Sequence, residues 1–133
     1  MKSLAVFYHV YPGKDWEDIF QAQIGALVVS NLLNAIDYLH IGFNGDLDLM
    51  PTFFGREELE IVVKENSNKY EETDTLRAMY EYCLENPGDY VLYIHTKGAS
   101  RKNAYTEDWR YLMEYFCIHQ WQKAVKALFD GHE

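Results

Sequence analysis

The sequence predicts an α/β domain of the Rossmann-like kind, a mostly parallel four-stranded sheet flanked by helices. Three observations carry this expectation. Short apolar runs alternate with segments whose apolar residues recur at helical spacing, in the order β-α-β-β-α-β-α. The run from Tyr90 to Ile94 is continuously apolar, β-branched and aromatic, as in a strand buried on both faces. That run passes directly into His95, Thr96, Lys97 and Gly98, and an α/β sheet presents its ligand site at such a carboxyl edge.

Leu4 to Val10 reads as the first strand, and Pro12-Gly13 breaks it. Asp15 is placed to cap a helix, with Asp18 in its first turn. Trp16, Ile19, Phe20, Ile24, Leu27, Val28 and Leu32 then share a helical stripe through about Asn34. Ile36 to Phe43 reads as the second strand, stopped by Asn44-Gly45-Asp46. Pro51 to Glu57 is loop, Leu59 to Lys64 the third strand, and Asn66-Ser67-Asn68 a loop again. Thr73 or Asp74 opens a helix carrying Leu76, Met79, Tyr80, Cys83 and Leu84, which Pro87-Gly88 ends. The fourth strand follows. Thr106 is then an N-cap, with Glu107 and Asp108 in the first turn of a last helix. Its expected inner face is Trp109, Leu112, Met113, Phe116, Gln120, Ala124 and Leu128.

A chain of 133 residues is one domain's worth and buries a real core. Apolar content of 48% and aromatic content of 16% argue against disorder. A net charge of −9 disfavours nonspecific nucleic-acid binding and confines any phosphate site to a local basic pocket. Cys83 and Cys117 lack metal-ligand spacing, which points to reduced core thiols and a cytoplasmic chain. The apolar start is too short for a signal peptide, and no segment is long enough to span a membrane. No Gly-x-Gly-x-x-Gly, Walker loop or Gly-x-Ser-x-Gly occurs, which disfavours dinucleotide oxidoreductases, P-loop enzymes and elbow hydrolases.

With the usual strand order 3-2-1-4, the first and fourth strands are neighbours at the switch point. Tyr8, His9 and Tyr11 would then lie beside His95, Thr96 and Lys97. Lys97 is the leading ligand-binding candidate, because a lysine just past a buried strand is a point charge suited to a diphosphate. Gly98 allows close backbone approach, and Ser100, Arg101 and Lys102 add donors; the bland alternative is a solvated loop. His95 can bond a phosphate, ligate a metal or cap the strand's last carbonyl, and His9 offers the same choices. Asp46-Leu47-Asp48 spells a two-carboxylate metal motif but reads better as a solvated turn, so no metal ligand is assigned. Trp109 reads as core packing, while Arg110 reaches either the fourth-strand loop or Asp108 or Glu114.

Four pieces of the chain are familiar together. They are Phe7-Tyr8-His9-Val10-Tyr11, Tyr70-Glu71-Glu72-Thr73-Asp74-Thr75-Leu76, Tyr93-Ile94-His95-Thr96-Lys97-Gly98-Ala99-Ser100, and Asp108-Trp109-Arg110 with Met113-Glu114-Tyr115-Phe116. Together they resemble GT-A-type glycosyltransferase-like proteins of bacterial and large-virus surface-polysaccharide loci. The resemblance covers nearly the whole chain. It implies transfer of a sugar from a nucleotide-sugar donor to a glycan or lipid-linked acceptor. Lys97, His95, Thr96, Gly98, Ser100 and Arg101 would hold the diphosphate. Tyr8, His9 and Tyr11 would line the nucleoside side, and Asn44 and Asp46 would approach base or ribose from the second strand. Such enzymes commonly carry an Asp-x-Asp motif after the fourth strand, whereas this chain has His95-Thr96-Lys97 there. By analogy Lys97 replaces a divalent Mn or Mg ion. Relatives also continue into strands that supply the acceptor side and the base, so the chain reads as a donor-binding half, truncated or naturally short. No catalytic base is assigned. The competing expectation is a non-catalytic binding or assembly domain that keeps this fold, with self-association through an exposed last helix.

Overall fold

The computed structural model describes residues 2–51, 57–67, 72–96 and 104–131. In chain order they form β1 (Leu4–Val10), α1 (Trp16–Val29), α2 (Leu32–Ala35), β2 (Tyr38–Phe43), a 3₁₀ turn (Leu47–Leu49) and β3 (Glu60–Glu65). These are followed by α3 (Thr73–Glu85), β4 (Tyr90–His95), α4 (Ala104–Met113), a π-helical segment (Glu114–His119) and α5 (Trp121–Phe129). The four strands make one sheet in the order β3-β2-β1-β4, and every pairing is parallel. The chain is therefore a Rossmann-like α/β domain whose strand order reverses direction between β1 and β4.

The side-chain period of two divides β1 between two layers. Val6, Tyr8 and Val10 join α1 residues such as Phe20 and Leu27 in the core, and Tyr8 stacks on Phe20 at 5.7 Å between ring centroids. Phe7 points to the other face, against Tyr38 and His40 of β2 and Tyr82 of α3. Phe7, Tyr8, Leu39, Ile41, Phe43 and Ile94 are completely buried. Each such side chain contributes roughly 1.5–3 kcal/mol by leaving water. The two central strands, β1 and β2, are thus fixed from both sides.

Several boundaries differ from the sequence reading. The first helix does not run on to Asn34. It ends at Val29, Asn31 adopts a left-handed φ of 66°, and α2 restarts with the Ser30 hydroxyl accepting from the Leu32 N–H. Val28, expected on the apolar stripe, is exposed, whereas its neighbour Leu27 is fully buried. Asp15 occupies the N-cap position, but its φ is 60° and its side chain makes no capping hydrogen bond. β4 is not buried on both faces. It pairs with β1 alone among the described residues, and within it Ile94 is the fully buried residue. The last helix is three segments, and its inner face is Arg110, Glu114 and Ile118 rather than Trp109, Leu112 and Phe116, which are exposed. The reason is the partner surface. Where the helix meets α1 it faces the buried amide of Gln23, which receives a polar side chain better than an indole.

Candidate functional site

Parallel pairing aligns the strand ends. His9 stands opposite His95 on one side and Gly42 on the other. Beyond the pair, the Thr96 N–H donates to the His9 carbonyl at 3.1 Å, and the Tyr11 N–H donates to the Thr96 hydroxyl oxygen at 3.0 Å. Thr96 therefore ties the chain leaving β4 to the chain leaving β1. The switch point is held closed by backbone and hydroxyl, where the sequence reading had Thr96 as a ligand donor.

Two polar networks flank this junction, one on each face of the sheet. On the α3 face, His9 Nδ1 lies 2.9 Å from the Thr75 hydroxyl, which also accepts from the Asn66 amide at 2.8 Å. His9 is 5% exposed, and burial lowers its imidazole pKa to about 4. This His is neutral at pH 7 and belongs to the packed interior. On the same face the Tyr93 hydroxyl donates to the Glu72 carboxylate, whose Oε2 lies 3.9 Å from His95 Nδ1. Burial and that carboxylate hold the Tyr93 phenol well above its ordinary range. On the α1 face the Tyr8 hydroxyl donates to Gln23 Oε1 at 2.5 Å, and the Gln23 amide donates to the His95 carbonyl at 3.0 Å. Glu114 and Arg110 lie behind Gln23, 3.9 Å apart and both buried. Burial raises the Glu114 carboxyl, against the lowering effects of Arg110 and Gln23.

Outside the junction, His95 meets α4 and the π-helical segment. His95, Trp109, Leu112, Met113 and Phe116 line an open pocket of about 390 Å³. Trp109 is 62% exposed and Phe116 58% exposed, so both offer ring surface there.

The residues expected to bind a ligand are distributed unevenly over this geometry. Tyr8 is enclosed at 0% exposure on the α1 face, and His9 is enclosed on the opposite face. Neither offers a nucleoside any surface, because both side chains are consumed by the layers that β1 separates. Tyr11 is exposed at the edge. Asn44 is buried beside the end of β2, while Asp46 is exposed and accepts the Asp48 N–H as the cap of the 3₁₀ turn. His95 remains partly exposed and joins the polar and apolar parts of the site. Lys97, Gly98, Ser100 and Arg101 lie outside the described residues. Among the described residues, no group of three or more His, Cys, Asp or Glu side chains is arranged to hold a metal ion.

The sequence reading missed Gln23, Asn66 and Thr75, and it gave Glu72 no role in the site. One signal was available. Gly42 interrupts an otherwise bulky strand, and a glycine there marks a close approach. A Cβ at Gly42 would lie 2.1 Å from the Thr75 hydroxyl and 2.6 Å from the Asn66 amide nitrogen.

Fold and site together define a parallel α/β domain with a polar junction at its strand-order switch and an aromatic pocket beside it. A family model described as Domain of unknown function (DUF8361) matches residues 7–126, and the chain belongs to that family. No curated protein and no solved structure matches the chain. Among the described residues, no helix is long and apolar enough to cross a membrane.

Proposed function

We propose that this domain binds the diphosphate of a nucleotide-sugar and serves as the donor-binding part of a glycosyltransferase acting on a glycan or lipid-linked acceptor. The observation that supports it is the adjacency of β1 and β4 at the switch point, where open α/β sheets take ligands. The chain leaves the sheet at that point through His95 and Thr96, with Lys97 and Gly98 next in the sequence. Thr96 is anchored to Tyr11 and His9, so the last described residue before Lys97 is held in place. In this reading Lys97 neutralises the diphosphate as it departs, which lowers the barrier by stabilising leaving-group charge. The role of a divalent Mg or Mn ion passes to the lysine, since the sequence has no carboxylate at that position. Tyr11 and Asp46, exposed at neighbouring strand ends, are the remaining donor-side candidates.

The test is a pair of titrations on wild type and Lys97→Ala, with a nucleoside diphosphate and with the nucleoside alone. A charge-assisted contact to phosphate is worth roughly 1.5–3 kcal/mol, so the diphosphate should weaken about ten- to a hundredfold and the nucleoside far less. Equal losses for both ligands remove Lys97 from the site. Absence of nucleotide binding by wild type overturns the reading. It leaves ahead a non-catalytic binding or assembly role, for which the exposed rings of Tyr105, Trp109, Phe116 and Phe129 speak.

A further inference from the structure

We infer that Glu114 is a positioning residue for the ligand edge of the sheet, acting through Gln23 on the carbonyl of His95. β4 pairs with β1 alone among the described residues. The N–H groups of Tyr90 and Thr96 donate to the β1 side, at the carbonyls of Ser3 and His9. Residues alternate along a strand, so His95 turns its carbonyl to the other side of β4, where β1 cannot reach it. The Gln23 amide donates to that carbonyl at 3.0 Å. Gln23 is 0% exposed and belongs to α1, so this bond holds the last residue of β4 from outside the sheet. The next residue is Thr96, which carries the tie to Tyr11.

The bond to His95 exists only while Gln23 presents the nitrogen end of its amide. Two neighbours set that orientation. The Tyr8 hydroxyl donates to Gln23 Oε1, and the Glu114 carboxylate faces the amide, which helps to hold the carboxylate charged against its burial. A reversed amide would set its oxygen against both the carboxylate and the His95 carbonyl. Glu114 is poorly placed for an ion pair alone. Arg110 Nε lies 3.9 Å from Glu114 Oε1, beyond hydrogen-bond reach, and that oxygen is buried with no hydrogen-bond partner among the described residues. A carboxyl held in this way costs stability that an apolar side chain would not, so its place is explained by what it orients. The segment that opens at Glu114 is π-helical, a form found frequently at functional sites. The inference deepens the donor-site reading and rests on it for the ligand that this edge holds, but not for the link from Glu114 to His95.

Two variants of the full chain separate reach from charge. Glu114→Gln keeps an acceptor oxygen at the same reach and drops the charge, whereas Glu114→Asp keeps the charge beside Arg110 and is shorter by a methylene. NMR follows the backbone amides of Tyr11 and Thr96 and the side-chain amide of Gln23. A nucleoside diphosphate and the nucleoside alone are then titrated into each protein, and thermal unfolding checks each fold. In wild type the Gln23 side-chain protons should exchange with solvent at least about a hundredfold more slowly than those of the exposed Gln21 and Gln122. Glu114→Gln should leave the Tyr11 and Thr96 signals in place and the diphosphate affinity within about twofold of wild type. Glu114→Asp should move both signals and weaken the diphosphate about threefold to tenfold, the nucleoside far less. A role confined to the ion pair gives the reverse order, with Glu114→Gln the damaged protein, and overturns the inference. Unmoved Tyr11 and Thr96 signals in folded Glu114→Asp overturn it too. So does exchange of the Gln23 protons as fast as those of Gln21, a result that needs no variant. Moved signals in Glu114→Asp and kept signals in Glu114→Gln, without nucleotide binding by wild type, would leave the positioning role standing and remove the donor-half reading.

Discussion

Replacing Gly42 by alanine tests the junction at its tightest point. The added methyl carbon would stand 2.1 Å from the Thr75 hydroxyl and 2.6 Å from the Asn66 amide nitrogen, both inside contact distance. Thr75 and Asn66 are buried, at 0% and 8% exposure, so neither can swing into solvent. Overpacking a filled interior costs about 1–3 kcal/mol. Displacing Thr75 also breaks its contacts with His9 and Asn66, and each buried polar group so orphaned costs about 1–3 kcal/mol more. A total loss of about 3–5 kcal/mol is expected, a large part of the roughly 5–15 kcal/mol of a typical domain. For a chain of 133 residues this should lower Tm by about 10 °C or more. Urea and thermal unfolding of Gly42→Ala measure it. Thr75→Ala in the same background should recover part of the loss, because it removes the atom in closest conflict. A Gly42→Ala protein within about 0.5 kcal/mol of wild type would refute the close approach at this strand end.

Acidification should expose the buried state of His9. Its pKa is about 4 in the fold against 6.5 for the free side chain, so below pH 6.5 the unfolded chain takes up a proton that the folded chain refuses. Stability from this group is complete above pH 6.5 and falls by about 3 kcal/mol as pH drops toward 4. The depressed His40 adds loss in the same direction, and His9→Gln should remove the His9 share from the urea-unfolding pH profile. Identical pH slopes for the two proteins would exclude His9 as its source. Tyr8→Phe should cost about 1–3 kcal/mol, since it strips the donor from the buried Gln23 Oε1. An unchanged urea midpoint would show that water replaces the hydroxyl. Finally, exposed Trp109, Phe116, Leu128 and Phe129 should drive concentration-dependent association in sedimentation, reduced by Phe116→Ser with Leu128→Ser. A wild type that stays monomeric at high concentration would contradict this.

Composition and period settled most of the architecture. The alternation of runs specified a parallel sheet, and Leu4–Val10 and Thr73–Glu85 formed where the local pattern put them. These elements were legible because apolar spacing and turn residues are local signals. The adjacency of β1 and β4 followed from the strand order normal for such sheets, and the fold has it. Side-chain roles were less legible. Trp109 and Phe116 repeat at helical spacing as core residues do, yet the chain buries Arg110 and Glu114 instead, because the opposing surface on α1 offers Gln23. Tyr8 and His9 read as ligand-facing because they end an apolar strand beside polar residues.

The sequence alone determined that this chain is an acidic, aromatic-rich α/β domain with a strand followed in the sequence by His95, Thr96 and Lys97. Those properties are set by composition and by neighbours within a few positions. Only the tertiary structure decided which of the polar side chains stay available. His9 is far in the chain from Asn66 and Thr75, yet all three meet at one strand end, where burial obliges them to satisfy one another. The same packing consumes Tyr8 and leaves His95 at the rim of an aromatic pocket. Burial depends on what comes to lie opposite a residue, and no stretch of sequence contains its own partner surface.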